Sequence, residues 1–461
     1  MTRDFDDAAA PGMTIVASAE PDMTIQDRST LSGSPAGAKF RAYSPAGFRR
    51  TPYWERLSPD YRVLFDSVTE VLPFRVNDFT LEHLIDWTAP DGDPMFRLMF
   101  PQEGMLTGAQ VAAVARAKAE GREPLRAVVR DIRESLNPHP AGQQTDNRAW
   151  LDGEPVDGIQ HKYAETVLFF PSAGQTCHAY CSFCFRWAQF VGEPDWKIQA
   201  REAAQAAAYL RAHPEVTDIL ITGGDPAIMP TRVLARYIEP FLEVESLRTI
   251  RIGTKALSYW PGRFTKDDDA DDLMRLFERV VASGRHLAVM AHLNHWRELE
   301  PAPVQDAVAR LRGAGAVLRT QGPILANIND DADTWARLWE RSVALGMVPY
   351  YMFMERDTGP ADYFRVPLLR AWEIYTDAQR RVSGLARSAR GPVMSAHPGK
   401  VVLDGPVETG AGAALSLRFL QARDAALTGR PFLARYDDRA GWLDDLRPAP
   451  GTAFPHERPP E

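Results

Sequence analysis

Cysteine is scarce in this sequence: there are three in 461 residues, all inside one eight-residue stretch. An odd, clustered set in a chain this long is not a disulfide framework and reads as a set of ligands. Long apolar runs are missing too. None approaches the roughly 20 residues a membrane-spanning helix needs, so no membrane partner is expected. Excess positive charge is absent. The formal net charge of −8 disfavours general attraction to nucleic acid or to an anionic membrane surface. The start of the chain has no basic patch followed by an apolar stretch, so no secretory signal is expected. Asp4, Asp6, Asp7, Glu20 and Asp22 do not suit an acid-poor transit peptide. These absences together point to the cytoplasm.

What is present is the balance of an ordinary globular protein, 45% hydrophobic and 25% charged. Residues 1–45 are rich in Ala, Ser, Gly, Pro and Asp, without apolar periodicity, and read as a mobile tail. Residues 46–160 read as a helical N-terminal region followed by a wrapping connection. Tyr61, Leu64, Phe65 and Val68 recur at helical spacing, as do Leu125, Val128, Val129 and Ile132. From 161 to 390 short apolar segments alternate with helical ones. The strand candidates are Thr166–Phe170, Asp218–Thr222, Thr249–Gly253, Leu287–Ala291, Val317–Gln321 and Val348–Phe353. Helical stretches lie between them near 198–211, 231–242, 270–283, 303–313 and 332–345. This alternation predicts an α/β fold, a partial (β/α)6-type parallel barrel with chemistry at the carboxyl ends of its strands. A C-terminal segment, 391–445, carries a strand near Lys400–Leu403 and an expected helix near 412–427. Residues 446–461 read as a flexible, Pro-rich tail.

The cysteines stand as Cys177-His-Ala-Tyr-Cys181-Ser-Phe-Cys184, directly after the first strand. Thiolates suit zinc or iron–sulfur clusters. Three of them leave one iron of a [4Fe–4S] cluster open to an outside chelate, such as the amino and carboxylate groups of S-adenosylmethionine. A zinc site completed by His178 fits less well, because zinc ligands usually come as two separated pairs.

With these residues the chain resembles the radical S-adenosylmethionine superfamily, whose three-cysteine spacing it matches. The resemblance implies reductive cleavage of S-adenosylmethionine and release of a 5′-deoxyadenosyl radical. Thr222-Gly223-Gly224-Asp225, after the second strand, is similar to the family's glycine-rich loop that meets the methionine amino group. Arg251-Ile252-Gly253-Thr254-Lys255, after the third, is similar to another segment near that cosubstrate, and Arg251 and Gly253 are its candidate contacts. His292 resembles a residue close to the adenosyl group.

Within the superfamily the chain resembles the lysine 2,3-aminomutase group over roughly 135–405. The segments that carry this are His161-Lys162-Tyr163, Cys184-Phe185-Arg186, Leu220–Asp225, Ala291–His295, Gln321–Leu325 with Asn329-Asp330, Tyr363-Phe364-Arg365 and Pro398-Gly399-Lys400. The group moves an amino group between adjacent carbons and uses pyridoxal phosphate as a second cofactor. The resemblance implies that Lys400 holds pyridoxal phosphate as an imine, that Lys162, Tyr163 and Gln321 lie around it, and that Arg186 binds the substrate carboxylate. A guanidinium suits that last role, because it offers two parallel donors.

Two departures from the group's pattern follow. Lysine-specific members carry acidic residues where this chain has Arg356 and Val393. An ammonium would lose its partners there, so the expected substrate is not lysine, and Arg356 is placed to meet an acidic side chain, as in a glutamate-like substrate. Asp357 and Asp362 stand close by, and a one-residue slip would restore an acid. The second departure is Thr166, which stands where a second basic residue for the cofactor phosphate is expected.

The expected partners are a free amino acid and an electron donor such as a flavodoxin or ferredoxin, with homo-oligomer formation left open. Two alternatives remain at this level: a radical aminomutase acting on a lysine of a partner protein, and a zinc-stabilised binding protein.

Overall fold

The computed structural model describes residues 40–137, 145–192 and 196–457. The N-terminal region is helical. Helices Pro59–Val71, Pro94–Met99 and Gly108–Glu120 begin at side-chain caps, the first two with proline in the first turn, and Arg122–Ser135 follows directly after Gly121. Ser58 Oγ, for example, accepts from the Tyr61 N–H at 3.2 Å. Phe48, Phe65, Phe74, Phe96 and Phe100 bury their rings together. Residues 1–39 of the expected tail lie outside the described residues. The boundary at 45 needs correction, because β1 (Ala42–Tyr43) pairs antiparallel with β2 (Val76–Asn77) and Phe40 stacks on Trp260 at 4.1 Å.

The remaining strands form one sheet in chain order: β3 (Arg148–Leu151), β4 (Glu154–Tyr163), β5 (Thr166–Phe169), β6 (Asp218–Ile221), β7 (Thr249–Thr254), β8 (His286–His292), β9 (Val317–Ile324), β10 (Val348–Met354), β11 (Arg390–Ser395), β12 (Gly399–Thr409), β13 (Gly412–Ala422) and β14 (Pro431–Arg435). Strands β5 to β11 run parallel; the flanking strands on both sides are antiparallel. The six segments expected as parallel strands are β5 to β10. The crossover helices Thr231–Ile238, Ala270–Ala282, Ala302–Gly313 and Ala332–Ala344 lie between them, as the periodicity predicts.

Burial alternates along these strands. Ile219, Ile221, Ile250, Ile252, Leu318 and Thr320 are sealed, while Asp218, Leu220, Arg251, Gly253, Arg319 and Gln321 keep some solvent contact. Period two places the first set on one face of the sheet and the second on the other. The second face carries the polar side chains Asp218, Arg251, Arg319 and Gln321.

No closed barrel forms among the described strands. The ladder ends at β3 on one side and β14 on the other, because antiparallel hairpins extend both ends. The two ends nonetheless meet through side chains. Lys162 of β4 donates to the Ala396 carbonyl, Gln421 of β13 to Glu165, and Arg423 to the Asp146 carbonyl at 2.8 Å and to Asn147 Oδ1 at 2.7 Å.

Three further expectations change. The polar stretch up to 160 is a hairpin, β3–β4, from Arg148 onward. The expected helix near 412–427 is strand β13 and a short turn, because Leu415, Leu417 and Phe419 are buried at period two, not 3.6. The expected tail from 446 is packed through 457: Leu446 and Phe454 are buried, and Pro448 bridges to Ala434. Among the described residues no helix is long and apolar enough to cross a membrane.

Candidate active site

The cysteine loop leaves the end of β5 and is held by the N-terminal region. The Tyr180 N–H donates to the Arg75 carbonyl at 2.9 Å and the Ser182 N–H to the Leu98 carbonyl at 2.9 Å. Arg75 returns bonds to Thr176 Oγ1 at 2.8 Å and the Cys177 carbonyl at 2.7 Å. Ala179 and Phe183 bury into the phenylalanine cluster, and Cys184 and Trp187 into a neighbouring apolar cluster. This region therefore forms one wall of the cysteine site.

All three cysteines are free thiols. Burial pushes Cys177 well above the ordinary thiol range, with Cys184 and other negative groups adding to it. Burial pushes Cys181 to about 12, opposed by the nearby Lys255 cation, and Cys184 to about 11. Thiols in this setting ionise when a metal takes the proton's place. Among the described residues no three His, Cys, Asp or Glu side chains converge on one ion-sized point. A cubane cluster meets each thiolate at a different iron, so its ligands need not converge on one point. His178 is engaged elsewhere, since its Nε2 bonds Asp225 Oδ2 at 3.0 Å. The donor set thus fits a [4Fe–4S] cluster.

The glycine-rich loop packs directly on the cysteine loop. A Cβ on Gly224 would lie 2.3 Å from the Thr176 carbonyl oxygen. One on Gly223, where φ is +135°, would lie 2.0 Å from Gln175 Nε2. Glycine is required at Gly224 by the close approach of the Thr176 backbone and at Gly223 by its positive φ. Thr222 donates its N–H to the Phe169 carbonyl at 2.9 Å, which keeps the loop in register with β5. Asp225 is a buried hub, not an open ligand. It accepts from the Ala227 N–H (2.9 Å), Thr254 Oγ1 (2.7 Å), the Lys255 N–H (2.8 Å) and His178. Burial alone would raise its carboxyl, but the bonds from His178, Thr254 and Lys255 hold it below the usual range.

His292 ends β8 with its ring 5.6 Å from Phe183 of the cysteine loop. Its Nε2 is buried without a hydrogen-bond partner. Burial and the Lys255 cation keep the ring well below the ordinary histidine range, so it is neutral. An unpaired nitrogen beside the cysteine loop suits a ligand such as the adenosyl group. A Cβ on Gly253 would meet Thr222 Oγ1 at 3.5 Å and Leu220 at 3.6 Å, ordinary contact distances.

Two residues central to this end were not singled out from sequence. Lys255 and Glu298 form a buried ion pair at 2.7 Å, and Lys255 also donates to the His292 carbonyl (3.2 Å) and Asn294 Oδ1 (3.1 Å). Glu298 accepts from Ser258 Oγ and from the N–H groups of Asn294 and His295. The pair fixes the loops after β7 and β8. Lys255 lies inside a motif quoted above, but Glu298 stands 43 residues further on, and one sequence gives no sign of the pairing.

Cations gather around Lys400. Lys400 Nζ donates to Gln421 Oε1 at 3.1 Å and lies 5.3 Å from the Tyr163 ring centre and 5.1 Å from that of Tyr351. Lys162 lies over the same Tyr163 ring at 5.4 Å. Arg251, expected near the cosubstrate, is taken up by Asp218 (Nε 2.8 Å, Nη2 2.6 Å), and its charge bears on Lys400. Burial, then Arg251 and Arg390, pushes Lys400 down to about 8. Gln321 pairs in register with His292 on one side and Tyr351 on the other, so it stands between the two ends.

A buried, weakly basic amine among cations suits pyridoxal phosphate. Covalent attachment needs the neutral amine, which dominates above about pH 8 at Lys400. The rate at which cofactor-free protein takes up pyridoxal phosphate, read by absorbance, is expected to rise through about pH 8 and then level off. A rise continuing to about pH 10.4, the ordinary lysine value, would contradict this.

Arg186 follows the last cysteine by two residues, with its guanidinium 4.7 Å from the Phe170 ring centre and 5.0 Å from that of Phe185. It makes no ion pair among the described residues. Burial lowers it to about 10, and Arg356 adds to the lowering. Arg356, just after β10, lies 5.5 Å from the same Phe185 ring. Asp357 is drawn to Arg356. Val393 is fully buried against Tyr351 and Val402. Glu355 was not anticipated: burial raises its carboxyl well above the usual range, and it lies close enough to act on Cys184.

A parallel-rich sheet with a three-cysteine loop after its first parallel strand points to the radical S-adenosylmethionine enzymes. The curated relatives carry this further. A protein of Aquifex aeolicus, provisionally named L-lysine 2,3-aminomutase, is 29% identical over 391 residues, 85% of this chain and 92% of its own. L-lysine 2,3-aminomutases of Bacillus subtilis (28%) and Acetoanaerobium sticklandii (27%) match 51% and 54% of this chain, and 47% and 58% of their own lengths. The chain is thus a relative of the L-lysine 2,3-aminomutases, radical isomerases whose chemistry implies a [4Fe–4S] cluster and S-adenosylmethionine. No family model matches the chain. A radical SAM methyltransferase structure from Sphaerobacter thermophilus overlaps 62% of this chain and 94% of its own, at 15% identity and a TM-score of 0.36. That overlap is too loose to carry an argument about fold.

Proposed function

We propose that this protein is a pyridoxal phosphate-dependent amino-acid 2,3-aminomutase acting on a free amino acid with an anionic side chain. The observation that carries the reading is a run of cations from the three-cysteine loop to Lys400: Arg186, without an ion pair among the described residues, and Arg356 both face the Phe185 ring, Arg356 bears on Lys162, and Lys162 and Lys400 face the Tyr163 ring. When bound, the cluster supplies the electron that splits S-adenosylmethionine, and pyridoxal phosphate supplies the conjugation that lets nitrogen move between adjacent carbons.

The chain's own residues supply position and charge. Cys177, Cys181 and Cys184 would hold the cluster, with the N-terminal helical region excluding water from it. Arg186 grips the substrate carboxylate. Phe170 and Phe185 fix the plane of that guanidinium. Arg356, on the other flank of Phe185, meets the substrate's second anionic group. A lysine ammonium would instead face the guanidinium charges of Arg186 and Arg356, at a cost of several kcal/mol in a site this buried. Glu355 does not offset this, because burial favours its neutral form.

The test is anaerobic reconstitution, followed by product identification from a panel of free amino acids. Isomerisation of glutamate or a similar acidic amino acid is expected to exceed that of lysine; faster turnover of lysine would overturn the substrate class. Replacing Arg186→Gln is expected to lower kcat/KM by roughly 30- to 5,000-fold, the equivalent of the ~2–5 kcal/mol lost when one member of a buried charged pair is removed. A change under about threefold would remove Arg186 from the site.

A further inference from the structure

The pyridoxal phosphate reading leaves the cofactor's phosphate short of a holder. Thr166 stands in place of a basic residue, and its hydroxyl reaches only Asp218 Oδ2, at 3.4 Å. A cation does bear on the neighbouring Lys162 and Tyr163, but from the opposite end of the sheet. Arg423 follows β13, and its backbone N–H donates to the Pro398 carbonyl at 2.9 Å. That bond ties it to the turn that delivers Lys400. Its guanidinium is braced by the Asp146 carbonyl (2.8 Å) and Asn147 Oδ1 (2.7 Å). Its Nε is shut off from solvent and has no hydrogen-bond partner. Lys162 reaches the same turn from the other side through the Ala396 carbonyl.

We infer that Arg423, together with Lys162, binds the phosphate of pyridoxal phosphate beside Lys400, in place of the basic residue missing at Thr166. The inference rests on the pyridoxal phosphate reading above. Arg423 makes no ion pair among the described residues. Burial first, then Arg356, Arg423 and Lys400, push the Lys162 ammonium down to about 7. Glu165 and Asp218 draw on Lys400, and Asp357 on Arg356, so acids offset part of this positive charge. Two acids at this end are committed: Asp146 bonds His397 at 2.9 Å, and Glu165 accepts from Gln421. A phosphate needs both charge and fixed donors, and an arginine held by two acceptors, with three of its five N–H donors left over, supplies them.

The test compares pyridoxal phosphate with pyridoxal, which lacks the phosphate, by titrating each into cofactor-free protein and reading bound-cofactor absorbance. Arg423→Gln is expected to weaken pyridoxal phosphate about 10- to 100-fold, the loss of a charge-assisted hydrogen bond, and to leave pyridoxal unchanged. Arg423→Lys, which keeps the charge and loses the fork, is expected to fall between, and carries the test should Arg423→Gln not fold. Asn147→Ala, which loosens the brace alone, is expected to move the two ligands' ratio less than Arg423→Gln. Equal weakening of both ligands in Arg423→Gln would mean a structural role and would overturn the assignment. An unmoved ratio would overturn it as well, while wild-type uptake of pyridoxal phosphate keeps the cofactor reading intact. Wild-type protein that takes up neither ligand would overturn the cofactor reading and the assignment together.

Discussion

Replacing Cys177, Cys181 or Cys184 by alanine, one at a time, is expected to cut S-adenosylmethionine cleavage by more than about 100-fold. That figure is the upper range for losing a mere supporting residue of a metal site, and a direct ligand should cost more. The three thiols lie on one loop, clamped between the N-terminal helices and the Gly223–Gly224 turn, and burial holds Cys181 and Cys184 to about 12 and 11. Such thiols have little reason to ionise except to a metal. Each substitution removes one sulfur from an apolar setting and leaves the backbone bonds of Tyr180 and Ser182 in place. Far-ultraviolet circular dichroism should therefore match wild type while iron and sulfide content fall. Deoxyadenosine formation near the wild-type rate in any one variant would contradict the ligand assignment.

The second large effect concerns Lys400. Lys400→Ala is expected to abolish covalent attachment of pyridoxal phosphate and to slow isomerisation by on the order of 1,000-fold or more, since the tethered group is lost from its reacting position. Deoxyadenosine formation in the absence of substrate should survive, because Lys400 sits on β12, among Tyr163, Tyr351 and Gln421, and the cysteine loop follows β5. Lys400→Arg separates charge from chemistry. It keeps a cation and cannot attach the cofactor, so it should behave like alanine for isomerisation. Full activity in either variant would remove Lys400 from the reaction.

The sequence carried the centre of the molecule well, for physical reasons. Buried parallel strands need short apolar runs, and crossover helices need period 3.6, so β5 to β10 could be placed to within a few residues. The cysteine loop was legible because all three thiols of the chain lie in it. The C-terminal third was not. Residues 412–422 are rich in alanine and leucine, which suits a helix as well as a strand, and only the pairing with β12 and β14 decides between them. That misreading also hid Arg423, because its position at the end of β13 follows from the hairpin register of Lys400 with Gln421. The charged pairs were hidden by distance along the chain: Lys255 with Glu298, and the meeting of Arg423 with Asp146 and Asn147, join segments that no local pattern connects.

The central claim is that one iron of a four-iron cluster lacks a protein thiolate and takes the cosubstrate instead. Mössbauer spectroscopy of anaerobically reconstituted protein, recorded with and without S-adenosylmethionine, addresses that iron directly. One iron in four is expected to change its signal when the cosubstrate is added, while the other three keep theirs. A cluster indifferent to S-adenosylmethionine, or a site filled by zinc, would contradict the claim.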